Sequence, residues 1–390
     1  MFYIRIAFFS WESLHSIVAG GLSYVTTELA AALERKGNEV HVFTRIGPGQ
    51  PHYECIHGVH YHRCGFDFHH NLVQEMHNMS NSMVETFYAV ENYSGHFDIV
   101  HGHDWMVVPA LDRIKRERNK KIVFTLHSTQ FGRDGNHFHN GIAESIKGIE
   151  WHGTYIADRL ITCSNKMKEE AQWLHRVPDW KMRIVPNGVA VHNYNGFIDP
   201  AWVKGRYGIG PLDPTILFVG RMTYQKGPDL LIEAMYDVVK DYGNAKLIMV
   251  GDGEMKPHLE HRVRELGIAH AVRFTGFIPE NEKIDLFKAC DAVVVPSRNE
   301  PFGIVVLEAW SAGKPVISTH GTGSGELIWH EVTGLQVYQN PSSIAWGIKR
   351  IFSDFEHARW MGRNGRFAVE NEFNWDKCAE RTLNVYKELV

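Results

Sequence analysis

Two cations follow a predicted strand in the second half of the chain. Arg221 comes just after the predicted strand Thr215–Val219, and Lys226 lies farther along the same loop. A guanidinium can grip phosphate oxygens as a fork, while an ammonium acts as a point charge. The loop does not fit the G-x-x-x-x-G-K-[ST] pattern of a nucleoside triphosphatase. The pair therefore either holds a pyrophosphate group or is simply solvated.

Two carboxylates occur where another loop passes into a helix. Glu300 and Glu308 lie eight positions apart in the segment Glu300–Trp310. At about 100° per residue, one carboxylate can lie at the mouth of the loop while the other faces the same cleft from the helix. Alternatively, Glu300 only stabilises the N-terminus of the helix.

A glycine pair, Gly20–Gly21, opens a helix after the first predicted strand. Without side chains there, a phosphate or a sugar can approach backbone N–H groups at the positive end of the helix dipole. An ordinary turn is the alternative. The dinucleotide fingerprint G-x-G-x-x-G is absent at this position, which argues against a dehydrogenase.

Polar residues also follow other predicted strands of the first half. They are His101, His103 and Asp104, then His127 and Ser128, then Ser164, and finally Asn187 and Gly188. In open α/β sheets, ligands bind beyond the carboxyl ends of the strands. These residues are therefore candidates for the same site as the glycine pair.

The elements that position these residues alternate between strands and helices in two series. The first series has predicted strands at 3–9, 39–44, 97–100, 121–126, 159–163 and 183–185. The second has them at 215–219, 246–250, 272–275, 292–296 and 315–319, with helices at 229–240, 256–266 and 282–290. Strand, helix, strand with short connections is the unit of a parallel sheet covered by helices on both faces. The pattern predicts an α/β fold of two tandem, doubly wound, Rossmann-like domains with the ligand site in the cleft between them.

The expected domain limits follow from a shift in composition. Residues 190–214 are rich in Asn, Gly, Tyr, Asp and Pro and lose periodicity. We therefore predict an N-terminal domain over 1–190, a linker over 191–213 and a C-terminal domain over 214–370. Residues 371–390 are predicted to form a C-terminal helix that can pack back on the N-terminal domain. Trp346, Trp360 and Trp375 are expected to be packing anchors.

Composition excludes several classes of protein. The chain has 390 residues, 44% of them hydrophobic, and 41 basic against 45 acidic side chains give a net charge of −4. This balance argues against a nucleic-acid partner. The five cysteines do not form a disulfide framework, and we find no membrane span or signal peptide, so a soluble cytoplasmic protein is expected. The cysteines are Cys55, Cys64, Cys163, Cys290 and Cys378.

Two further patterns have competing explanations. The segment Cys55–Cys64 is dense in zinc-ligand types, but its spacing fits no standard zinc site and suits a strand or hairpin. The basic run Arg113–Lys121 suits either a lipid surface or, more simply, a solvated helix end. No Asp-x-Asp motif is placed for a metal, so we predict no metal site.

Taken together, these motifs resemble the retaining, nucleotide-sugar-dependent glycosyltransferases of family 4, which have the GT-B fold. The resemblance spans essentially the whole chain. It rests on Gly20–Leu22, His101–Trp105, Thr125–Ser128, Pro186–Val189, Val219–Met222 with Lys226–Gly227, and Glu300–Gly303 with Glu308–Ala309. The segments His127–Asn136 and Ile149–Tyr155 look like those of shorter, archaeal-type glycogen synthases, so an α-glucan acceptor is implied. One departure is Val18–Ala19, where bacterial glycogen synthases carry Lys-Thr or Lys-Ser.

The resemblance also implies roles for individual residues. The donor would be a nucleotide diphosphate sugar, UDP-glucose or ADP-glucose, with no further cofactor. Arg221 and Lys226 would hold its diphosphate, aided by the backbone N–H groups of Gly21, Gly303, Ile304 and Val305. Glu308 would bind the ribose, Glu300 the hydroxyls of the transferred sugar, and His127 would lie near the reacting centre. Asp104 and Asn187 would line the acceptor side. The reaction would proceed by a front-face route in which the leaving phosphate helps to deprotonate the acceptor.

Other functions remain open from the sequence. A family 4 transferase could act on a lipid or a small sugar, and a membrane-surface association is compatible with that alternative. A nucleotide-sugar epimerase and a non-catalytic sugar-binding protein share the two-lobed architecture.

Overall fold

The computed structural model describes residues 3–390, so that Met1 and Phe2, part of the segment tested for a signal peptide, lie outside the described residues. The chain divides into two compact units. Unit 1 comprises 3–131, 137–188 and 375–390, and unit 2 comprises 132–136 and 189–374. Both are sheets covered by helices, which is the expected α/β architecture.

Unit 1 is built on an eight-stranded sheet. Its strands are β1 Arg5–Ser10, β2 Glu39–Arg45, β3 Tyr53–Ile56, β4 Val59–Cys64, β5 Ile99–His103, β6 Lys121–Leu126, β7 Arg159–Thr162 and β8 Met182–Ile184. The helices that accompany them are α1 Gly21–Arg35, α2 Leu72–Ser94, α3 Val108–Arg118, α5 Ile142–Ile156 and α6 Asn165–His175. A short helix, α4 Gln130–Arg133, begins in unit 1, and its last two residues are assigned to unit 2.

The order of strands in this sheet is β3-β4-β2-β1-β5-β6-β7-β8. All neighbours are parallel except β3 and β4, which form an antiparallel hairpin at one edge. Strand β1 is buried from Ile6 to Ser10 and pairs Phe8 with His101 of β5. Because a parallel sheet buries both faces, its central strands read as continuous apolar runs. Since β1, β5, β6 and β8 run parallel, the residues that follow them lie at the same carboxyl edge of the sheet.

Unit 2 is built on a six-stranded, wholly parallel sheet of order β11-β10-β9-β12-β13-β14. Its strands are β9 Thr215–Val219, β10 Lys246–Val250, β11 Val272–Gly276, β12 Ala292–Val295, β13 Val316–Thr319 and β14 Gly334–Val337. Its helices are α7 Pro200–Gly205, α8 Pro228–Asp241, α9 Lys256–Glu265, α10 Glu280–Ala289, α11 Ile304–Ser311, α12 Gly323–Leu327, α13 Pro341–Ser353 and α14 Phe355–Asn371. A final helix, α15 Trp375–Tyr386, belongs to unit 1.

The segment 191–213, which the composition predicts to be an interdomain linker, has secondary structure of its own. It belongs to unit 2 and contains a 3₁₀ turn, Val191–Tyr194, and helix α7. The Asp199 carboxylate caps α7 by accepting from the N–H of Ala201 at 2.9 Å. Tyr194 and Val203 are both buried. Two buried side chains and one cap are enough to order a segment that lacks periodicity.

Helix α15 packs on α1 within unit 1. Two ion pairs join them, Arg35 with Asp376 at 2.8 Å and Lys36 with Glu380 at 2.9 Å. Trp375 and Tyr386, the first and last residues of α15, are buried. The other two tryptophans contradict the expectation of packing anchors, because Trp346 is 47% exposed and Trp360 is 41% exposed.

The Trp346 and Trp360 rings lie against imidazoles at the surface instead.

Within residues 3–390, every helix is too short or too polar to span a bilayer.

Candidate functional site

The loop after β9 brings a lysine onto a carboxylate in unit 2. Nζ of Lys226 lies 2.7 Å from Oε2 of Glu300, and Oγ of Ser297 lies 3.3 Å from the same oxygen. Both partners are mostly covered, with 21% of the lysine and 12% of the glutamate side chain exposed. A partly covered ion pair with an open side can exchange its partners for a ligand that offers negative charge to the lysine and hydroxyls to the glutamate.

Gly227 allows the loop that carries Lys226 to lie close to the loop that carries Glu300. Its φ is +63°, and a Cβ added there would lie 2.2 Å from the carbonyl oxygen of Pro296. A positive φ is readily adopted only by glycine. The loop that carries Lys226 therefore lies directly against the end of β12, from which the Glu300 loop departs.

Arg221 is placed at the same edge of the sheet but is held loosely. It is exposed, and its Nη2 lies 3.4 Å from Oε1 of Gln225, the one side-chain partner it has within residues 3–390. A second arginine is fixed firmly: Arg298 binds Asp229 with two bonds of 2.8 and 2.6 Å and lies 3.9 Å from the centre of the Tyr224 ring. Sequence reasoning did not single out Arg298 as a brace of this loop. Of the two arginines, Arg221 is the one whose guanidinium is available to a ligand.

Glu308 is buried on α11 with a lysine beside it. Oε1 accepts from Nζ of Lys283 at 2.8 Å and from the hydroxyl of Tyr194 at 3.4 Å. Burial lowers the pKa of Lys283, but the Glu308 and Glu280 carboxylates outweigh it and raise that pKa above its usual value. The ammonium is therefore charged and pairs with Glu308, whose side-chain oxygens are acceptors for hydroxyl groups.

The N-terminus of α11 is shaped by Gly303, which precedes Ile304 and Val305. Gly303 has a φ of +94°, and a Cβ there would lie 2.6 Å from Cβ of Ser324. The loop before it is tied down because the N–H of Gly323 donates to the carbonyl of Glu300 at 2.7 Å. The first N–H groups of a helix have no intrahelical acceptor. The N–H groups of Gly303, Ile304 and Val305, at this N-terminus, therefore come directly after the Glu300 loop in the chain.

In unit 1, the glycine pair is held by a buried carboxylate that sequence reasoning missed. Oε2 of Glu12 accepts from the N–H groups of Ala19 and Gly20 at 2.9 and 2.6 Å. Burial raises the pKa of Glu12, although these two N–H groups and Arg45 oppose the rise. Gly20 and Gly21 themselves are exposed, and Gly21 begins α1. A single Glu in a loop, seven positions before Ala19, matches no recognisable sequence motif.

Asp104 and His127 meet at the ends of β5 and β6. Oδ1 of Asp104 accepts from the backbone N–H of His127 at 2.8 Å. Asp104 is buried and has a φ of +59°, a backbone conformation that a non-glycine residue rarely adopts. Such strain persists only where the surroundings over-determine it, often at functional sites. Asn187 is also buried, after β8 at the same edge of the sheet.

Behind His127 stand two more histidines in unit 1. Nδ1 of His103 lies 3.0 Å from Nε2 of His127. His101, whose ring is 4.3 Å from that of His103, is bonded to the hydroxyls of Tyr386 and Thr125, both at 2.7 Å. Burial lowers the pKa of His101 to about 3 and the pKa of His103 well below its usual value. The His127 pKa is lowered by burial too, against the pull of Asp104. All three imidazoles are therefore neutral at pH 7.

A groove of 730 Å³ opens in unit 1 between the starts of α2 and α5. Three imidazoles, those of His69, His70 and His77, line it together with amide and hydroxyl groups. Both helices start at the carboxyl edge of the sheet, since α2 precedes β5 and α5 precedes β7. The groove thus lies on the side of unit 1 that carries Asp104 and His127.

The segment Cys55–Cys64 forms the β3–β4 hairpin. Cys55 is exposed and Cys64 is buried, with its Sγ 3.5 Å from Oγ1 of Thr86. His62 pairs with His41 through Nε2 and Nδ1 at 2.9 Å, and His60 with Tyr53 at 2.8 Å. Over the whole described range, 3–390, His, Cys, Asp and Glu side chains form no cluster of three or more that could hold a metal ion.

The basic run is divided between α3 and the start of β6. Arg113 and Arg116 pair with Glu117 and Asp112 on the same helix, and Lys115 bonds to Asp158 at 3.0 Å. The cations nearest the C-terminus of α3 also complement the helix dipole. These pairings agree with a solvated helix end.

Two Rossmann-like parallel sheets, each with polar loops at its carboxyl edge, define the GT-B class of glycosyltransferase. The N-terminal part of the chain, residues 19–193, matches the model of Glycosyltransferase Family 4, and residues 204–367 match that of Glycosyl transferases group 1. An uncharacterized glycosyltransferase of Methanocaldococcus jannaschii is 37% identical, over 98% of both chains. The chain therefore belongs to this glycosyltransferase family.

Other relatives are more distant. A glycogen synthase of Mycobacterium tuberculosis is 26% identical, with 98% of this chain and 94% of the relative covered. Sucrose-phosphate synthase from Thermosynechococcus elongatus superposes with a TM-score of 0.82 at 25% identity, over 99% of both chains. The catalytic domain of starch synthase IV from Arabidopsis thaliana, solved with ADP and acarbose, gives 0.81 at 15% identity over 99% of both chains. The last likeness shows the fold.

Proposed function

We propose that the protein is a retaining hexosyltransferase that moves glucose from UDP-glucose or ADP-glucose to an α-glucan, without a metal ion. The observation that carries this proposal is the ion pair of Lys226 with Glu300 at 2.7 Å, beside the loosely held Arg221. A nucleotide sugar offers a diphosphate to the two cations and sugar hydroxyls to the carboxylate. The site therefore has the chemistry that such a donor needs on both sides of its reacting bond.

The cations also account for the departure of the nucleotide. When the sugar leaves, negative charge builds on the β-phosphate. Lys226, the exposed Arg221 and the N–H groups of Gly303, Ile304 and Val305 are positive groups that would stabilise it. Such groups in a covered site contribute more than they would in water.

Further donor and acceptor contacts are assigned to the remaining residues. Glu308, paired with Lys283, would accept from the ribose hydroxyls, and the N–H of Gly21 would donate to the diphosphate. His127 would contact the transferred sugar, and Asp104 and Asn187 would line the acceptor side. Support for the sugar and the acceptor comes from the glycogen synthase relative.

The test is a panel of nucleotide sugars, each incubated with maltooligosaccharides and with glycogen. Release of nucleoside diphosphate identifies the donor, and the proton coupling of the new anomeric centre in NMR reports retention. The expected result is release that depends on glucan and gives an α-linked product. Release without any acceptor dependence, a β-linked product or interconversion of sugars would overturn the proposal.

A second candidate is transfer to a small phosphorylated sugar. The observation that favours it is the groove of 730 Å³ whose three imidazoles can donate to a phosphate. The relative named sucrose-phosphate synthase agrees with such a function. Adding sugar phosphates and their unphosphorylated forms to the same panel separates the two candidates.

A further inference from the structure

His103 has one bonded ring nitrogen and one without a partner. Nδ1 lies 3.0 Å from Nε2 of His127, while Nε2 is buried and has no hydrogen-bond partner within the described residues. The side chain is fully covered. His101, on the same strand, has both nitrogens bonded. The unpaired nitrogen therefore distinguishes His103 from His101 on the same strand.

The unpaired nitrogen decides which histidine donates. A neutral imidazole carries a hydrogen on one nitrogen only. If His127 donated to His103, the hydrogen of His103 would lie on Nε2, as a buried N–H group with no acceptor. If His103 donates from Nδ1, its Nε2 keeps only a lone pair. Buried donors without a partner are rarer than acceptors without one, so the second arrangement is favoured.

The consequence reaches the other side of the His127 ring. Since Nε2 of His127 accepts, its hydrogen must lie on Nδ1, which no group in residues 3–390 engages. The backbone N–H of His127 is meanwhile fixed by Asp104 at 2.8 Å. We propose that His103 is a positioning residue that holds His127 in the tautomer protonated on Nδ1, so that His127 presents an N–H donor, and not a base, to the substrate. This rests on the proposed function, in which His127 touches the transferred sugar.

The assignment constrains the proton in the transfer step. The bond between the anomeric carbon and the phosphate oxygen breaks, and the bond between that carbon and the acceptor oxygen forms. The hydroxyl proton of the acceptor passes to an oxygen of the leaving phosphate, because the imidazole offers it no lone pair. His127 donates a hydrogen bond throughout and ends the step in its initial protonation state.

The first test reads the tautomer directly. Protein labelled with ¹⁵N-histidine is compared with the His127→Gln variant by NMR at pH 7, which assigns the two ring signals of residue 127. The expected result is a protonated Nδ1 and an unprotonated Nε2. Protonation of Nε2, or of both nitrogens, would overturn the proposal whatever the enzyme's activity.

The second test uses variants of known packing. His103→Leu removes the bond and should lower kcat about 10-fold with little change in the KM of the donor. His103→Asn places an amide donor near the position of Nδ1 and should recover most of the activity. His101→Leu is the matched control, because it removes a buried imidazole from the same strand without touching His127.

Melting temperatures of all three variants show whether stability explains a loss. Equal losses of kcat in His103→Leu and His101→Leu would mean a structural role only and would refute the positioning role. Full activity in His127→Ala would refute the assignment of His127 in the proposed function. An inactive His127→Ala together with a fully active His103→Leu would refute the positioning role alone.

Discussion

Lys226 and Glu300 are 74 positions apart in the sequence, yet the ammonium of one lies 2.7 Å from the carboxylate of the other. They meet because the loops after β9 and β12 leave neighbouring strands at the same edge of the sheet. A ligand that binds here must break this ion pair, which reduces the free energy of binding. Mutation of either partner therefore tests the role of the pair.

We predict that Lys226→Ala and Arg221→Ala each slow transfer about 10²-fold or more at saturating donor. The reason is the loss of a contact that stabilises the charge of the leaving phosphate, which costs roughly 3 kcal/mol. Steady-state release of nucleoside diphosphate measures the effect. Lys349→Ala is the control, since Lys349 pairs with Asp237 at 2.8 Å on the outer helices. Near-normal turnover of either site variant would remove the phosphate-binding role.

Activity is expected to persist in excess EDTA, because cationic side chains and backbone N–H groups replace a divalent ion. The measurement compares rates before and after chelation. Loss of activity that magnesium or manganese restores would contradict this prediction.

Glu12→Gln should weaken donor binding more than it slows turnover. Gln can still accept with its amide oxygen, but the loss of charge weakens two hydrogen bonds to the N–H groups of Ala19 and Gly20. We expect a KM for the donor raised several-fold and faster hydrogen exchange at these two amides. Unchanged exchange would show that the loop does not depend on the carboxylate.

Gly227→Ala should destabilise unit 2 by about 1–3 kcal/mol and lower activity, because the new Cβ would lie 2.2 Å from the Pro296 carbonyl at a positive φ. Gly205→Ala is the matched control, since a Cβ there meets nothing within 4 Å. Urea unfolding measures both. Equal stability of the two variants would show that the loop relaxes freely.

Stability should fall as the pH is lowered from 7.5 to 5.5, and His62 should contribute to the slope. Burial, with the neighbouring His41 and His60, lowers the pKa of His62 to about 3. The unfolded chain, with a histidine pKa near ~6.5, therefore binds a proton that the folded chain lacks between these values. The free energy of unfolding then falls by up to about 1.4 kcal/mol per pH unit below pH ~6.5 for this group.

His62→Gln should flatten this slope, whereas His70→Gln, at an exposed position, should leave it unchanged. Urea unfolding at the two pH values measures the slopes. Identical slopes in wild type and His62→Gln would contradict the prediction.

Much of the fold was predictable because parallel strands are continuous apolar runs. The limits expected for 121–126, 215–219 and 246–250 agree with β6, β9 and β10. Strand β14, Gly334–Val337, was missed because four residues with a polar Gln336 give too short a signal. Trp346 and Trp360 were misjudged because hydrophobicity predicts burial poorly for a large ring with a polar edge.

The site was predictable to the extent that it follows strand ends. His127, Lys226 and Glu300 could be chosen from their positions after strands. Glu12 and Lys283 could not, because they act through contacts that only tertiary structure brings together. His103 was a candidate from its position after a strand, but its bond to His127 was not predictable. Whether a histidine donates or accepts, likewise, depends on neighbours distant in sequence.

Helix α15 has a consequence for the order in which the protein matures on the ribosome. Tyr386, near the end of the chain, bonds to His101 inside unit 1, whose other strands are all synthesised by residue 188. Domains generally fold from the N-terminus as they emerge. Here the flank of α1 stays uncovered until α15 has been translated, after the whole second unit. A nascent chain stalled before residue 375 should accordingly hold a protease-sensitive first unit beside a folded second one.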